Sequence, residues 1–248
     1  MAKAERNVLV TGASRGLGLG IARRLAGAGY GVIALARQRT KQVAEAGIEA
    51  KRNKHGTLHF VSFDLADIDG IPDLVKSLRR DYGPLFGLVN NAAIGHGGAL
   101  AMMHNSKIDE LVRVNTLSPI VLTKYVVRSM MSQGAGRIVN VASIIGSTGY
   151  SGLSVYAATK ASMIGFTRSL AREVGRLGVN VNAVAPGFLD TDMTHGLTGE
   201  QRQQVLRRSA LKRLAEVDDV ANAVEYLLSD KARNVSGTVL TVDAGATA

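Results

Sequence analysis

The chain of 248 residues contains no cysteine and few aromatic residues, and each shortage excludes a kind of site. Without cysteine there can be no disulfide, no thiolate metal site and no cysteine nucleophile. The five histidines are scattered, with only His55 and His59 close together, so no metal site is expected. Aromatic residues make up 4% of the chain, which leaves few side chains for stacking on nucleic-acid bases.

Long apolar runs are also missing from the sequence. No run approaches the roughly 20 apolar residues that span a bilayer. MAKAERN at residues 1–7 leads into a strand without the apolar region of a signal peptide, so a cytoplasmic protein is expected. The length, with 46% apolar and 20% charged residues, predicts a single domain over residues 1–248.

The net charge of +10 is concentrated in residues 1–54, which hold 11 lysines and arginines against 3 acidic residues. Such asymmetry suits an anionic cofactor, a nucleic acid or an acidic partner. A basic surface that contacts only water accounts for it equally well.

Seven short apolar runs alternate with helical patterns along the chain. The runs occupy residues 7–11, 31–36, 58–63, 85–90, 136–143, 179–185 and 238–242. Buried runs separated by helices predict an α/β fold, a single-domain Rossmann-type doubly wound sheet of about seven parallel strands flanked by helices. The long polar segment 188–213 follows the sixth run, and it is predicted to be a substrate lid or, alternatively, an ordinary surface excursion.

The stretch TGASRGLG at residues 11–18 lies between the first predicted strand and the first predicted helix. In that position Gly12 permits a tight turn, Gly16 lets the backbone approach a pyrophosphate, and Gly18 permits close packing of helix on strand. The strand–turn–helix context predicts a dinucleotide site, and a merely structural turn is the alternative.

The residues after the second run indicate which dinucleotide binds. The acidic residue expected about 20 positions after the glycine turn, which would bind a ribose 2′-hydroxyl, is missing. Arg37 stands there instead, with Arg39 and Lys41 beyond it and Arg15 inside the turn. Guanidinium groups favour a 2′-phosphate, so Arg37 and Arg15 are predicted to bind NADP(H).

The stretch YAATK places Tyr156 and Lys160 four residues apart, on one face of a predicted helix. Alone, such a pair is more often a surface contact than a catalytic one. Ser143 ends the preceding strand, where a parallel sheet binds its ligands, and this context favours catalysis. A catalytic phenol needs a pKa below its usual value near 10, and the Lys160 ammonium is expected to lower it.

Asn115 and Pro119 lie four residues apart inside a long helical pattern. Because Pro119 has no N–H to bond the Asn115 carbonyl, the sequence predicts a kinked helix and a free carbonyl oxygen. The alternative is that the kink only shapes the packing and the carbonyl is satisfied elsewhere.

Together these motifs resemble the short-chain dehydrogenase/reductase family over essentially the whole chain. FDLAD around Asp64, NNAA at residues 90–93 and Pro186-Gly187 with Thr191 are similar to further motifs of the family. The resemblance implies a catalytic set made of Asn115, Ser143, Tyr156 and Lys160. It also implies a cofactor-binding set of Gly12, Ser14, Arg15, Gly16, Leu17, Gly18, Arg37, Asp64, Leu65, Asn91, Ala92, Tyr156, Lys160, Pro186, Gly187 and Thr191.

In the family, the tyrosine protonates the ketone oxygen while hydride moves from NADPH to the carbon. The resemblance therefore implies that Tyr156 is the general acid and that Ser143 binds the substrate oxygen. Lys160 would bind the nicotinamide ribose and lower the pKa of the phenol. The Asn115 carbonyl would hold a water of a proton relay.

GRIVNVASIIG, YAATKASMIGFTRSLAREV, VNAVAPGFLDTDM and VDAGA are most similar to 3-oxoacyl-[acyl-carrier-protein] reductases within this family. That similarity implies reduction of acyl-carrier-protein or CoA thioesters in fatty acid synthesis, and a homotetramer built from long helices. Arg168, Arg172 and Arg176 recur every four residues and suit either an acidic acyl carrier protein or a solvated or intersubunit face.

Two other functions stay open. One is a reductase or dehydrogenase of another alcohol, sugar or small ketone, with His96, His104 and segment 188–213 lining its pocket. The other is a cofactor-binding regulatory or nucleic-acid-binding module that uses the basic N-terminal part. The sequence has no helix-turn-helix or RNP-like pattern, which argues against nucleic-acid binding.

Overall fold

The seven predicted runs form one parallel sheet. The computed structural model describes residues 6–53, 55–189 and 199–248, without the side chains of 199–202 and 204. The strands are β1 Asn7–Thr11, β2 Gly31–Ala36, β3 Thr57–Ser62, β4 Leu85–Asn90, β5 Gly136–Val141, β6 Val179–Pro186 and β7 Val239–Val242. Their order across the sheet is β3-β2-β1-β4-β5-β6-β7, which confirms the predicted doubly wound fold.

The strand order reverses at β1, which pairs with β2 on one side and with β4 on the other. The connections after β1 and β4 leave the sheet in opposite directions at this point. A crevice therefore opens at the carboxyl ends of β1 and β4, where sheets of this kind bind ligands.

Helices cover the two faces of the sheet. They are α1 Gly16–Gly27, α2 Lys41–Asn53, α3 Ile71–Tyr82, α4 Asn105–Val112, α5 Ser118–Gln133, α6 Ile145–Thr148, α7 Ser154–Val174, α8 Gly199–Arg208 and α9 Val217–Leu228. Within the described residues, no helix is long and apolar enough to cross a membrane. Segment 188–213, predicted as a polar lid, contains α8, and its residues 190–198 lie outside the described part of the chain.

Strand β1 shows why both faces are buried. Val8 and Val10 pack on one side with Ile21 and Leu25 of α1. Leu9 points to the other side, into a second apolar cluster that contains Leu122 of α5. Because side chains alternate along a strand, a strand covered on both faces must be apolar at every position. This accounts for the continuous apolar runs in the sequence.

Candidate active site

In the glycine turn after β1, Gly12 and Gly18 leave no room for a side chain, whereas the space around Gly16 is empty in the described part of the chain. Gly12 and Gly16 have φ angles of +66° and +53°, in the left-handed region that favours glycine. A Cβ atom on Gly18 would lie 2.2 Å from the Gly12 carbonyl oxygen. Around a Cβ on Gly16, by contrast, no atom of the described residues lies within 4 Å. The turn therefore leaves room for a pyrophosphate at the start of α1.

Hydrogen bonds join the glycine turn to the segment after β4. The Thr11 hydroxyl accepts hydrogen bonds from the backbone N–H groups of Asn91 and Ala92, both at 3.0 Å. In return, the Asn91 side-chain amide donates to the Thr11 carbonyl at 2.9 Å. These bonds hold the two walls of the crevice together. Thr11 opens the TGASRGLG stretch but was not among the predicted cofactor-binding residues, because no local pattern marks the contacts of its hydroxyl.

The basic side chains predicted to bind a 2′-phosphate follow β1 and β2. Arg15 and Arg37 are both exposed. The Thr40 hydroxyl donates to the Ser14 carbonyl at 2.6 Å, and this bond ties the segment after β2 to the glycine turn. Ser62 donates to the Arg37 carbonyl at 2.8 Å. The backbone positions of Arg15 and Arg37 are thereby fixed at neighbouring parts of one edge of the sheet.

The remaining predicted cofactor contacts follow β3 and β6. Asp64 is exposed and accepts a hydrogen bond from the Ala66 N–H at 3.0 Å, while Leu65 is buried. Gly187 donates its N–H to the Val242 carbonyl at 2.9 Å. A Cβ on Gly187 would lie 2.7 Å from Asp243, so only glycine fits there. Leu17 and Ser14 lie in the glycine turn, half-buried, and Thr191 lies outside the described residues.

These observations fit a bound dinucleotide. Three features lie at the carboxyl ends of the strands: the empty space at Gly16, the exposed side chains of Arg15 and Arg37, and the segment held by Asn91. We expect NADP(H) to occupy this crevice, with its pyrophosphate at the glycine turn.

The loop after β5 and the start of α7 bring together Ser143 and Tyr156. The Ser143 hydroxyl lies close enough to the Tyr156 phenol to lower the pKa of that phenol. The same serine oxygen accepts a bond from the Ile145 N–H at 3.2 Å. Lys160 is 4% exposed, and its Nζ donates to the Val141 carbonyl at 2.8 Å. The structure therefore places the predicted tyrosine, serine and lysine in one cluster at the end of β5.

The two titratable groups have shifted pKa values in the protein alone. Burial raises the pKa of Tyr156 to about 12, and the hydrogen bond from Ser143 opposes that rise only in part. Burial also lowers the pKa of Lys160 to about 8. In the protein alone, Lys160 is not among the causes of the pKa shift of the phenol, and its lowering of that pKa beside an oxidised nicotinamide stays a prediction. Lys160 Nζ lies 5.7 Å from the centroid of the Tyr156 ring, and desolvation of the phenol dominates.

Asn115 lies where the sequence predicted a kink. The helix widens there into a π-turn, Arg113–Leu117, between α4 and α5. The Asn115 side chain accepts a bond from the Ile94 N–H at 2.8 Å and donates to the Ile94 carbonyl at 2.9 Å. It also donates to the Thr159 hydroxyl at 3.2 Å. Asn115 therefore connects the segment after β4 to α7, next to Lys160, while its free main-chain carbonyl and relay water remain predictions.

The two histidines expected in a pocket have other contacts. His104 caps α4, because its Nδ1 accepts a bond from the Ser106 N–H at 3.2 Å. His96 Nε2 lies 3.0 Å from a Glu110 carboxylate oxygen, and Lys107 Nζ lies 3.1 Å from the same oxygen. Hydrogen bonds from Lys107 and His96 lower the pKa of Glu110. His96 thus fastens the segment after β4 to α4.

Replacing Gly18 with alanine tests the closed part of the glycine turn. We expect Gly18→Ala to lower the free energy of unfolding by about 3 kcal/mol, because its methyl group meets backbone that cannot move aside. Urea denaturation measures this loss. Gly27→Ala, in the same helix, is the matched control, since its Cβ meets no atom of the described chain within 4 Å. Equal stability of the two variants would contradict the close packing.

Comparison with known proteins shows the family to which the chain is similar. The model of the short chain dehydrogenase family matches residues 6–202. A Staphylococcus aureus protein named 3-oxoacyl-[acyl-carrier-protein] reductase FabG is 37% identical over 243 residues, covering 98% of both chains. The Escherichia coli protein of the same name is 39% identical over 238 residues, covering 96% of this chain and 95% of its own.

A solved structure extends the likeness to three dimensions. It is a candidate NAD(P)-dependent gluconate 5-dehydrogenase from Beutenbergia cavernae with bound NADP. The two folds superpose with a TM-score of 0.91 at 35% identity, covering 97% of this chain and 96% of the other. The family model covers residues 6–202 and the relatives match nearly the whole chain, so the chain belongs to the short chain dehydrogenase family.

Proposed function

We propose that the protein reduces the ketone of a 3-oxoacyl thioester, linked to acyl carrier protein or CoA, to a 3-hydroxyacyl product with NADPH, as in fatty acid synthesis. The proximity of the Ser143 hydroxyl to the Tyr156 phenol, beside the buried Lys160, carries the proposal, because it places a proton donor next to a second hydroxyl. The near full-length similarity to proteins named 3-oxoacyl-[acyl-carrier-protein] reductase supports the substrate class.

NADPH, when bound, supplies the hydride that the ketone carbon receives. The Ser143 hydroxyl donates a hydrogen bond to the ketone oxygen, and the Tyr156 phenol delivers the proton to that oxygen. With a pKa of about 12, the phenol holds its proton at neutral pH and is ready to act as an acid. Lys160, with a pKa of about 8, is largely charged at pH 7 and favours the phenolate that forms as the proton leaves.

Other residues of the chain hold the cofactor and the catalytic groups in place. The glycine turn and the segment at Asn91 would hold the pyrophosphate side, and Arg15 with Arg37 the 2′-phosphate. Asp64 and Leu65 would lie on the adenine side, and Pro186-Gly187 on the nicotinamide side. Asn115 positions α7, and hence Tyr156 and Lys160, through its bond to Thr159.

Arg37→Asp tests the choice of cofactor. We expect wild type to prefer NADPH over NADH, and Arg37→Asp to lower kcat/KM for NADPH by about a hundredfold, because an attraction to the 2′-phosphate becomes a repulsion. Turnover with NADH should change much less. Arg52→Asp, an exposed position on α2 with the same change of charge, is the control. A wild type without preference for NADPH would refute the assignment.

A substrate screen tests the reaction itself. NADPH oxidation is followed with acetoacetyl-CoA, longer 3-oxoacyl thioesters, simple ketones and 5-ketogluconate, with Tyr156→Phe as the background. We expect thioesters to have the highest kcat/KM. The Beutenbergia cavernae neighbour favours a second candidate function, reduction of a sugar-acid ketone. Highest activity on 5-ketogluconate would select that function instead.

The proposal includes docking of an acidic acyl carrier protein on exposed arginines. Arg168 and Arg172 are exposed on α7, whereas Arg176 follows the helix end in a 3₁₀ turn, Gly175–Leu177, so the predicted stripe is shorter than the helix pattern implied. Reversing Arg168 and Arg172 to Glu should raise KM for carrier-linked substrate several-fold and spare N-acetylcysteamine thioesters. Reversal of Lys76 and Arg79 on α3 is the control. An equal effect on both substrates would argue for a solvated or intersubunit face.

The proposal also includes a single reductase domain that assembles as a homotetramer in the cytoplasm, with segment 188–213 as its substrate lid. Val112 and Leu117 near the π-turn are 44% and 41% exposed, and apolar side chains of this size support a subunit contact there. Light scattering on the purified protein measures the assembly.

A further inference from the structure

Two aromatic side chains meet beside the catalytic cluster. The rings of Tyr150 and Phe188 have centroids 5.8 Å apart and planes inclined by 64°, an edge-to-face contact. Tyr150 lies in the loop between α6 and α7, and Phe188 directly follows Pro186-Gly187 at the carboxyl end of β6. The ring pair therefore bridges two separate segments of the sheet edge that binds ligands.

Both segments are tied to the reacting groups. The stretch that carries Tyr150 runs from the loop at Ser143, before α6, to Tyr156 in the first turn of α7, and the Ser143 hydroxyl lowers the pKa of the Tyr156 phenol. The Ile144 N–H donates to the Pro186 carbonyl at 3.1 Å, which joins the start of that loop to the end of β6. The aromatic pair thus lies on the border of the space where a ketone would contact Ser143 and Tyr156.

This border is uncharged and partly apolar. The sequence contains no charged residue from 143 to 159 and none from 179 to 189. Tyr150 nevertheless leaves 41% of its surface exposed, although burying an aromatic ring is favourable. Leu153, in the same loop, packs toward Gly97 of the segment after β4. An apolar ligand could cover this surface, whereas a carboxylate would find no cation along these two segments.

We infer that Tyr150 and Phe188 form an aromatic clamp that contacts the acyl chain beyond the ketone and selects substrates with an apolar chain. The inference rests on the proposed reduction of 3-oxoacyl thioesters, and it names the part of the chain that recognises the acyl group. Arranged in this way, the clamp favours longer acyl chains over the shortest one, because each added methylene can cover more of the exposed ring.

The test compares two N-acetylcysteamine thioesters, 3-oxobutanoyl and 3-oxooctanoyl. The measured quantity is the ratio of kcat/KM for the longer substrate to kcat/KM for the shorter one. We expect wild type to prefer the longer thioester, and Tyr150→Ala and Phe188→Ala each to lower the ratio by about tenfold. Tyr150→Phe should retain the ratio because the ring remains. Tyr226→Ala is the matched control, since Tyr226 is 43% exposed on the distant helix α9.

The outcomes separate the clamp from the reaction. An equal loss on both thioesters, or an unchanged ratio in a folded variant, overturns the clamp and leaves the proposed reduction standing. A wild type that reduces neither thioester overturns both. If an alanine variant does not fold, Phe188→Leu, which removes the aromatic contact and keeps an apolar side chain, gives the same comparison.

Discussion

Tyr156→Phe should lower kcat for ketone reduction by about a thousandfold, within the range that a positioned general acid contributes. The variant keeps the ring and its packing but loses the phenol hydroxyl that lies beside Ser143. The rate of NADPH oxidation under saturating substrate measures the loss.

A separate measurement shows whether the loss is chemical. The Kd for NADPH, followed by fluorescence, should change far less than kcat, since the glycine turn and the arginines provide most of the predicted cofactor contacts. Ser143→Ala should also lower kcat, by a smaller factor, because the phenol retains its proton. A Tyr156→Phe enzyme with more than about a tenth of wild-type kcat would show that another group delivers the proton.

Lys160→Met should make the cofactor-free protein more stable while removing its activity. The pKa of Lys160 is about 8 in the folded protein, below the usual 10.5, so folding disfavours its charged form. Below pH 8 the Lys160 ammonium is charged in both the folded and the unfolded chain. Its burial then lowers the free energy of unfolding by about 3 kcal/mol. Methionine has no such penalty, although the Val141 carbonyl loses a donor. We therefore expect a net gain of about 2 kcal/mol at pH 7.

The pH dependence distinguishes this cause from better packing. Since the unfolded chain binds more protons than the folded chain between pH 8 and 10.5, wild-type stability rises over that range relative to the variant. The advantage of methionine should therefore stay constant below pH 8 and shrink by about 1.4 kcal/mol per pH unit above it. Urea denaturation at matched protein concentration measures both.

A surface lysine provides the comparison for this experiment. Lys51→Met on α2 changes an exposed residue, and its stability should match wild type within about 0.5 kcal/mol at every pH. A Lys160→Met protein less stable than wild type at pH 7 would mean that the buried ammonium has a stabilising partner.

The central strands were predictable because they are buried on both faces. Residues 31–36 are all apolar or glycine, and a short run of this kind between two helical patterns is typical of a buried strand. The cluster of Ser143, Tyr156 and Lys160 was expected on two grounds: Ser143 ends a strand at the edge where a parallel sheet binds its ligands, and the family resemblance implied the set.

Features that depend on neighbours in space were not predictable. The Thr11 hydroxyl binds the backbone of Asn91, far away along the chain. The Thr159 hydroxyl accepts a bond from the Asn115 side chain. No local sequence pattern marks either contact. The upward pKa shift of Tyr156 in the protein alone was not predicted, because spacing along a helix does not reveal how deeply the phenol is buried. The contact of His96 with Glu110 was not predictable either, because it depends on how the segment after β4 and helix α4 lie in space.

The π-turn at Asn115 has a consequence for the surface of the helix that contains it. From Asn105 to Gln133 the backbone stays helical through α4, the π-turn and α5, with Arg113 and Ser118 both at right-handed angles. The wide turn acts as one inserted residue, which rotates the side chains after it by about 100° relative to those before it. A helical phase counted along the sequence therefore falls on different sides of the rod in α4 and in α5. A substitution that is harmless in α4 can therefore be harmful at the same helical spacing in α5. There its side chain lies on another side of the rod, toward the sheet or a neighbouring helix.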